Sequence, residues 1–256
     1  MPVDPFDLSG KVGVVVGGSG GIGQTLSIGR GAAGADIIIA DLPSRCESAE
    51  AVAASVRAAG RRAACVEVDV TSVASIAAMV DAAQAQFGAL DWLVNCAGIN
   101  IRRPVLDYTE ADWDRMLAVN LKGAFFLTQA AARAMLPTGH GRIVHIASQL
   151  ATVAMHDRSI YAITKAGLAH LCRAFAVELA SAGLTFNAVG PTFVSTPLTT
   201  SMFDDPAFIA ENLPRIPAGR FGTPEDVLGA VRYLVSDAAA LVNGHLLLVD
   251  GGYTAW

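Results

Sequence analysis

The sequence predicts a single α/β domain over residues 1–256, built as a doubly wound parallel sheet of seven strands with helices on both faces. Two observations support this fold class. Short β-branched runs alternate with longer alanine-rich stretches along the chain, which is the pattern of repeated β-α-β units. Glycines also stand where the predicted helices should end, at Gly60, Gly88 and Gly183. A length of 256 residues suits one large domain of this kind.

The short apolar runs predict the strands. These lie at 11–16 (KVGVVV), 36–40 (DIIIA), 62–68, 90–95 (LDWLVN), 141–147 (GRIVHIA), 184–189 (LTFNAV) and 245–249 (HLLLV). The stretches between them predict helices at 22–33, 45–59, 72–87, 110–136, 160–181 and 224–236. This alternation is interrupted at 191–222, a segment with prolines at 191, 197, 206, 214 and 217. A proline-broken stretch of this length inside a compact fold is usually functional, and we expect a substrate lid here.

The composition argues against several classes of function. A net charge of −5 without basic runs argues against a nucleic-acid or anionic-lipid surface, because phosphate contacts need clustered Lys and Arg. The longest apolar runs fall far short of the roughly 18 residues that a membrane-spanning helix needs. Residues 1–10 carry Asp4 and Asp7 and no apolar stretch, unlike a signal peptide, so we expect a cytoplasmic protein. The histidines and cysteines show no metal-ligand spacing, and the expected partner is a small molecule.

A glycine-rich run follows the first predicted strand and opens the first predicted helix. Bare backbone N–H groups at a helix N-terminus suit a pyrophosphate, so the run predicts a dinucleotide-binding loop. Asp41 closes the second strand, where its carboxylate can accept hydrogen bonds from both hydroxyls of an adenosine ribose. A carboxylate there repels a 2′-phosphate, so NAD is expected over NADP, and Arg45 is the nearby cation that could soften this preference. The loop residues are Gly17, Ser19, Gly20, Gly21, Ile22 and Gly23.

The residues that end the third and fourth strands are also expected at the dinucleotide site. Asp69-Val70 ends the third strand and the run 95–98 (NCAG) ends the fourth. Ligands of open α/β folds bind at the carboxyl edge of the sheet. The residues expected to line the dinucleotide site there are Asp69, Val70, Asn95, Ala97 and Gly98.

Tyr161 and Lys165 are four residues apart on a predicted helix, so they share one face. A lysine ammonium about 4 Å from a phenol is worth roughly 4 kcal/mol at an effective dielectric of 20. That equals about three pKa units, enough to bring a tyrosine from about 10 toward neutrality. Ser148 ends the fifth strand and adds a hydroxyl at the same edge. The three side chains predict a proton-transfer site.

Taken in chain order, these motifs resemble the short-chain dehydrogenase/reductase family, which has a Rossmann fold, from about Leu8 to the C-terminus. The likeness rests on the glycine motif, Asp41, Asp69, the Asn-x-Ala-Gly turn, Asn120, Ser148, the Tyr-x-x-x-Lys pair, Pro191 and the ending Val249-Asp250-Gly251-Gly252. The activity that it implies is NAD-dependent interconversion of a secondary alcohol and a ketone, with direct hydride transfer between nicotinamide and substrate carbon.

The resemblance also implies a role for each matching residue. Tyr161 would exchange the proton and Ser148 would hydrogen-bond the carbonyl or alkoxide oxygen. Lys165 would bind the nicotinamide ribose and lower the tyrosine pKa, and Asn120 would hold a water that continues the proton relay. The family pattern adds expected dinucleotide contacts at Leu42, Tyr161, Lys165, Pro191, Val194 and Thr196.

Two further expectations concern the interior and the surface. His145 stands where the family usually has asparagine, and a satisfied histidine in the core or at an interface is the favoured interpretation. The helix from Tyr161 to Gly183 carries apolar or small residues almost all round, and such a helix must be buried on more than one side. We therefore expect a homo-oligomer, and the family's habitual tetramer fits.

Within the family, residues 95–104, 215–220 and 242–245 are similar to gluconate and deoxygluconate dehydrogenases, and 250–256 to polyol dehydrogenases. The expected substrate is therefore a polar alcohol or ketone, a sugar acid or polyol. Expected substrate contacts are Arg102, Gln149, His156 and Arg158, with Arg102 as the carboxylate partner. Some polyol relatives look to bind magnesium through the C-terminal carboxylate. The corresponding group here is the carboxylate of Trp256, and the sequence does not decide whether it binds a magnesium ion.

Two alternatives stay open from the sequence. One is a 3-oxoacyl-[acyl-carrier-protein] reductase, which is weakened because such reductases generally use NADPH and Asp41 disfavours it. The other is a non-catalytic dinucleotide-sensing or scaffolding protein, since a fold does not imply a function. The intact set of Ser148, Tyr161 and Lys165 argues against the second alternative.

Overall fold

A computed structural model describes residues 4–196 and 199–255. These residues contain one parallel sheet of seven strands in the order β3-β2-β1-β4-β5-β6-β7, so the predicted fold class is confirmed. Every predicted strand is present, with ends within two residues of the expected ones. The strands are β1 (Val12–Val16), β2 (Asp36–Asp41), β3 (Ala63–Glu67), β4 (Trp92–Asn95), β5 (Gly141–Ile146), β6 (Leu184–Pro191) and β7 (Leu246–Val249).

The strand order places a crevice at the carboxyl edge between β1 and β4. β1 pairs with β2 on one side and with β4 on the other, and Val16 is in register with Asn95. The chain therefore winds outward in opposite directions from this point. Open α/β sheets bind their ligands at such a switch in strand order.

Helices cover both faces of the sheet. The described helices are α1 (Gly21–Ala32), α2 (Cys46–Ala58), α3 (Val73–Phe87), α4 (Glu110–Leu117), α5 (Ala124–Met135), α6 (Ser159–Leu179), α7 (Thr200–Phe203), α8 (Pro206–Asn212) and α9 (Pro224–Val235). One face of the sheet carries Val15 and Ile37 and packs against α1, α2 and α9, whereas the other carries Val14 and Phe186 and packs against α3, α5 and α6. Each face is a separate apolar core, as expected of a doubly wound domain.

The helix predicted at 110–136 is present from Glu110 to Met135, but it is not a regular α-helix throughout. A π-helical turn, Ala118–Gly123, separates α4 from α5. A Cβ added to Gly123 would lie 2.6 Å from the carbonyl oxygen of Val70, so the chain approaches the loop after β3 more closely than another residue would allow. Such π turns are frequent at functional sites, and this one carries Asn120.

The predicted lid, 191–222, contains two short helices that the proline pattern did not predict, α7 and α8. Aromatic rings hold them to the rest of the domain. Phe203 and Phe221 have ring centroids 4.8 Å apart, and Phe193 lies 5.2 Å from Phe208 and 6.3 Å from Tyr253. Residues 197 and 198 of this segment lie outside the described residues.

Among residues 4–196 and 199–255, no helix combines the length and the apolar character needed to cross a bilayer.

Candidate active site

The loop 17–20 joins β1 to α1 at the crevice. Gly17 has a φ of 71°, a left-handed conformation that favours glycine, and its N–H donates to the carbonyl oxygen of Ala40 at 2.8 Å. A Cβ on Gly17 would lie 3.1 Å from the backbone nitrogen of Ala97, and one on Gly23 would collide with the carbonyl oxygen of Gly17. The loop is therefore closed tightly onto the turn after β4, with its backbone at the mouth of the crevice.

Asp41 is tied to the glycine-rich loop. Its Oδ2 accepts hydrogen bonds from the backbone N–H of Ser19 at 3.0 Å and from the Ser19 hydroxyl at 2.6 Å, while Oδ1 accepts from Leu42 N at 2.9 Å. Arg45 lies on the other side of Ser19, with Nε 3.4 Å from its Oγ. Asp41, the predicted ribose acceptor, and Arg45, the cation expected to weaken the preference for NAD, thus both contact Ser19.

The turn after β4 is organised by Asn95. The Oδ1 of Asn95 accepts from Ala97 N at 3.0 Å. A Cβ on Gly98 would lie 3.4 Å from Nζ of Lys165 and 3.5 Å from Oδ1 of Asn120, so this turn contacts the predicted proton-transfer residues. Asp69 lies further along the same edge, where its Oδ1 accepts from the N–H and the hydroxyl of Thr71 at 2.9 and 2.7 Å.

Asn120 uses its side chain to hold the loop that follows this turn. Its Oδ1 accepts from Ile99 N at 2.8 Å, and its Nδ2 donates to Ile99 O at 2.9 Å and to Thr164 Oγ1 at 3.1 Å. Only 1% of the residue is exposed. Its amide is therefore fully engaged by protein groups, which makes its side chain a structural link between α6 and the turn.

Ser148, Tyr161 and Lys165 come together where β5 ends and α6 begins. Ser148 directly follows this edge of the sheet and its Oγ accepts from Leu150 N at 3.1 Å. Nζ of Lys165 donates to Ile146 O at 2.8 Å and lies 5.4 Å from the ring centroid of Tyr161. Tyr161 hydrogen-bonds Ser148, and Lys165 lies beside Gly98 of the β4 turn, so the structure brings the predicted group to one place.

The lid reaches the same crevice. Pro191 is the last residue of β6, and Val194 forms an isolated bridge with Gly222. Thr196 is nearly buried, and a Cβ on Gly21 would lie 3.4 Å from Thr196 Cγ2. The first residues of the predicted lid therefore lie against the glycine-rich loop.

The four predicted substrate residues differ in exposure. Arg102 and His156 are exposed. Gln149 is buried, and its Oε1 has no hydrogen-bond partner among the described residues. Arg158 is also buried, with Nη1 3.3 Å from the carbonyl oxygen of His156. Trp256, the predicted open metal contact, lies outside the described residues.

Comparison with known proteins identifies the family. The model of a family described as enoyl-(acyl carrier protein) reductase matches residues 17–254. The chain is 41% identical over 253 residues to D-threitol dehydrogenase of Mycolicibacterium smegmatis, which covers 97% of this chain and 95% of the relative. It is 38% identical to 2-dehydro-3-deoxy-D-gluconate 5-dehydrogenase of Escherichia coli over 100% of both chains. A crystal structure of gluconate 5-dehydrogenase from Burkholderia cenocepacia, in complex with NADP and tartrate, has a TM-score of 0.94 and 37% identity, covering 99% of this chain and 98% of that one.

The chain belongs to the short-chain dehydrogenase/reductase family. The resemblance inferred from the motifs is thereby confirmed. Its members are oxidoreductases that act on CH–OH groups with a nicotinamide dinucleotide. The non-catalytic alternative loses its support, because the chain retains the residues of an enzyme and matches enzymes over its full length.

Burial dominates the ionisation of the proton-transfer group in this short-chain dehydrogenase/reductase. Burial raises the pKa of Tyr161 to about 12, although a hydrogen bond with Ser148 and the charge of Arg158 act in the opposite direction. Burial also lowers the pKa of Lys165 to about 8. The expectation that Lys165 lowers the pKa of Tyr161 is therefore wrong. The ammonium donates to the carbonyl oxygen of Ile146 and does not offset the desolvation of the phenol.

His145 is a core histidine, as the sequence suggested, and it supports the β4 turn. It is fully buried. Thr128 donates its proton to Ala124 O at 2.7 Å, so its Oγ1 accepts from Nε2 of His145 at 2.9 Å. Nδ1 then accepts from Nδ2 of Asn95 at 3.2 Å. The neutral imidazole thus orients the amide that organises the turn, and sequence reasoning had not given it this role.

Proposed function

We propose that this chain is an NAD-dependent dehydrogenase that interconverts a secondary alcohol and a ketone on a sugar acid or polyol. The observation that carries the proposal is the convergence of Ser148, Tyr161 and Lys165 where β5 ends and α6 begins, with Lys165 beside Gly98 at the switch in strand order. A hydroxyl, a phenol and an ammonium in one crevice can hold a substrate oxygen and move its proton.

The residues present fit a nicotinamide dinucleotide. Side chains would fill the space at the glycine-rich loop, since a Cβ on Gly20 would lie 2.8 Å from the Arg45 guanidinium. The loop backbone would hold the pyrophosphate, Asp41 the adenosine ribose and Lys165 the nicotinamide ribose. When bound, the dinucleotide supplies the hydride acceptor or donor for the reaction. Asp69, Asn95 and the first residues of the lid would complete the walls of its site.

The protein groups then handle the proton. Ser148 would donate a hydrogen bond to the substrate oxygen and so place it against the phenol of Tyr161. The raised pKa keeps Tyr161 protonated at neutral pH, and a phenol is the proton donor that ketone reduction needs. Asn120 would act by fixing the loop at Ile99 with its side-chain amide, rather than by binding a water through that amide.

NAD is the proposed cofactor because Asp41 faces the loop with its carboxylate held by Ser19. A second phosphate beside that carboxylate would be a like-charge pair. NADP is the second candidate, and two observations favour it. Arg45 lies against Ser19, where it could pair with a 2′-phosphate, and the gluconate 5-dehydrogenase of similar structure was crystallised with NADP.

The substrate class follows from the relatives. The chain is similar over nearly its whole length to dehydrogenases named for threitol, 2-dehydro-3-deoxygluconate and gluconate, which are polyhydroxylated compounds. The alternative substrate is an acyl thioester, because the matching family model is described by the name of an acyl-carrier-protein reductase. The polar loop residues Gln149, His156 and Arg158 support the polyhydroxylated substrate, because each can hydrogen-bond hydroxyl groups.

The test is an assay of the purified protein that follows the absorbance of reduced nicotinamide. The panel contains gluconate, 2-dehydro-3-deoxygluconate, threitol and a 3-oxoacyl thioester, each with both dinucleotides. We expect turnover of a polyhydroxylated compound, with higher kcat/KM for NAD(H) than for NADP(H). Turnover of the thioester alone would refute the proposal. The Tyr161→Phe variant is the inactive control, and Tyr233→Phe, on α9, is its matched active control.

We also propose that the enzyme is a homotetramer. A groove of about 420 Å³ between α6 and the segment 117–125 is lined by Phe125, Leu171 and Phe175. Further along α6, Val177 is 86% exposed. Such apolar surface is typical of an interface, and a second copy of the chain is the proposed occupant. Light scattering after gel filtration should give four chains per particle, and a monomer at micromolar concentration would refute this proposal.

A further inference from the structure

Arg158 is a buried cation without an acidic partner. Only 5% of the residue is exposed, and it directly precedes α6, one helical turn before Tyr161. Its Nη1 lies 3.1 Å from Sδ of Met155 and 3.3 Å from the carbonyl oxygen of His156. None of the ion pairs formed by residues 4–196 and 199–255 includes it. A guanidinium is costly to bury unpaired, and the positive end of a helix adds to that cost.

A backbone clamp brings a second arginine to the same place. The hydroxyl of Tyr108 lies 2.9 Å from Ile101 O and 3.0 Å from Asp157 O. The N–H of Arg103 also donates to Asp157 O, at 3.2 Å. Asp157 has a φ of 59°, a strained conformation for a residue other than glycine. The clamp therefore fixes Arg102, on one loop, beside Arg158, on the other.

The two arginines repel each other, and neither forms an ion pair within the described residues. Arg103 is already neutralised, with Nε 2.7 Å from Oδ2 of Asp112, but Arg102 takes part in no ion pair within the described ranges. Burial lowers the pKa of Arg158 below its usual value, and the Arg102 charge adds to this effect. Asp157 and Glu211 of α8 attract the Arg158 charge, but both are exposed and neither lies within ion-pair distance of it.

We infer that Arg158, together with Arg102, binds the carboxylate of the substrate, so that this enzyme takes hydroxy acids in preference to neutral polyols. The inference rests on the proposed function and narrows its substrate class. A carboxylate would accept bidentate hydrogen bonds from a guanidinium and supply the missing negative charge. Arg158 precedes Tyr161 by one helical turn and its charge acts on the phenol, so a small hydroxy acid is long enough to contact both residues. The sequence pointed to Arg102 as the carboxylate partner, and the structure assigns the buried position to Arg158.

Kinetics on a matched pair of substrates test the assignment. Arg158→Gln should raise the KM for D-gluconate about 10- to 100-fold, the effect of losing a charged hydrogen bond, while the KM for the neutral analogue D-glucitol stays within about twofold. Arg158→Lys keeps the charge but not the planar fork, and should raise the gluconate KM less. Arg103→Gln, on the same loop but paired with Asp112, should leave the gluconate-to-glucitol ratio unchanged.

Binding without turnover separates this inference from the proposed function. Calorimetric titration of gluconate in the presence of reduced dinucleotide, which cannot oxidise it, should show binding to wild type and Arg103→Gln but not to Arg158→Gln. That result supports the carboxylate site even where no turnover is detected. Equal loss of gluconate and glucitol affinity in Arg158→Gln, or in Arg158→Lys if the glutamine variant does not fold, would overturn it. Turnover of glucitol by a wild type that binds no gluconate would overturn it as well, while leaving the dehydrogenase proposal intact.

Discussion

Asn120 and Ile99 form a reciprocal pair of hydrogen bonds across the mouth of the active site. The amide of Asn120 accepts from the backbone N–H of Ile99 at 2.8 Å and donates to its carbonyl oxygen at 2.9 Å. The side chain thus binds a loop backbone in the way that a neighbouring strand would. Because Asn120 lies on the π turn, the irregular helix and the loop that carries Arg102 depend on the same contact.

The first prediction follows from that pair. Asn120→Asp should lower the free energy of unfolding by about 1–3 kcal/mol, because a carboxylate oxygen would face the Ile99 carbonyl with no proton between them. It should also lower kcat, since the loop beside Gly98 and Lys165 loses its anchor. Urea unfolding and steady-state kinetics measure the two effects. Asn100→Asp, an exposed change on the same loop, is the control and should alter stability by less than about 0.5 kcal/mol.

The second prediction concerns the proton. Tyr161→Phe should lower kcat by about 10²- to 10⁴-fold while the affinity for reduced dinucleotide changes little, because only the proton path is removed. Lys165→Met should damage both quantities, since its ammonium lies beside Gly98 where the dinucleotide would bind. Fluorescence titration with the dinucleotide gives the affinities. A Tyr161→Phe enzyme that keeps more than about a tenth of wild-type kcat would exclude the phenol as general acid and base.

The third prediction concerns the choice of dinucleotide. Asp41→Asn keeps a hydrogen-bond acceptor beside Ser19 but removes the charge that opposes a 2′-phosphate. The ratio of kcat/KM for NADPH to that for NADH should therefore rise about 10-fold or more. Asp69→Asn removes a carboxylate from the same sheet edge and is the matched control, because it should leave that ratio unchanged. An Asp41→Asn ratio equal to that of wild type would show that the carboxylate does not face the ribose.

The sequence was sufficient to predict the parts of this molecule that depend on local patterns. All seven strands were expected because each is a short apolar run between glycines or polar ends, and strand ends place Asp41, Asn95 and Ser148 at one edge. The π turn was not expected, because it depends on contacts of Asn120 and Gly123 with distant parts of the chain.

Electrostatic properties were the least predictable. The spacing of Tyr161 and Lys165 suggested a lowered tyrosine pKa, but burial decides the outcome, and burial cannot be read from spacing. The same limit applies to Arg158, which seemed from sequence to be one of several loop cations. Its burial and its proximity to Arg102 depend on a backbone clamp at Asp157 that no local pattern reveals.

The fourth prediction is a pH dependence of stability due to His145. Burial lowers its pKa to about 3, from about 6.5 in the unfolded chain. The unfolded state therefore binds an extra proton between these values, so the free energy of unfolding falls as pH decreases through this window. The loss from pH 7 to pH 5 should be about 2 kcal/mol, at about 1.4 kcal/mol per pH unit below 6.5.

Two variants isolate the contribution of His145. Urea unfolding at both pH values should show that His145→Asn loses less stability than wild type on acidification, by about the 2 kcal/mol assigned to the histidine. His156→Asn, at an exposed position, should lose as much stability between pH 7 and pH 5 as wild type does. The acidic groups contribute equally to the loss of stability in all three proteins. The difference in that loss between His145→Asn and wild type therefore measures the contribution of His145. An unchanged slope in His145→Asn would mean that burial does not lower the pKa of the His145 imidazole in the folded protein.

The last prediction concerns Arg30, a cation enclosed between α1 and α9. It is fully buried, and burial lowers its pKa to about 9. Nη2 donates to Leu228 O at 2.8 Å, but Nε and Nη1 have no partner among the described residues. Arg30→Met keeps an unbranched chain of similar reach and removes the desolvated charge, so we expect the free energy of unfolding to rise by about 1–4 kcal/mol.

Calorimetry of Arg30→Met should show a Tm higher by about 2–4 °C for each kcal/mol gained. Arg133→Met, on the exposed side of α5, should shift the Tm little. A lower Tm in Arg30→Met would instead mean that the single bond to Leu228 and the packing of the guanidinium stabilise the domain by more than its desolvation costs.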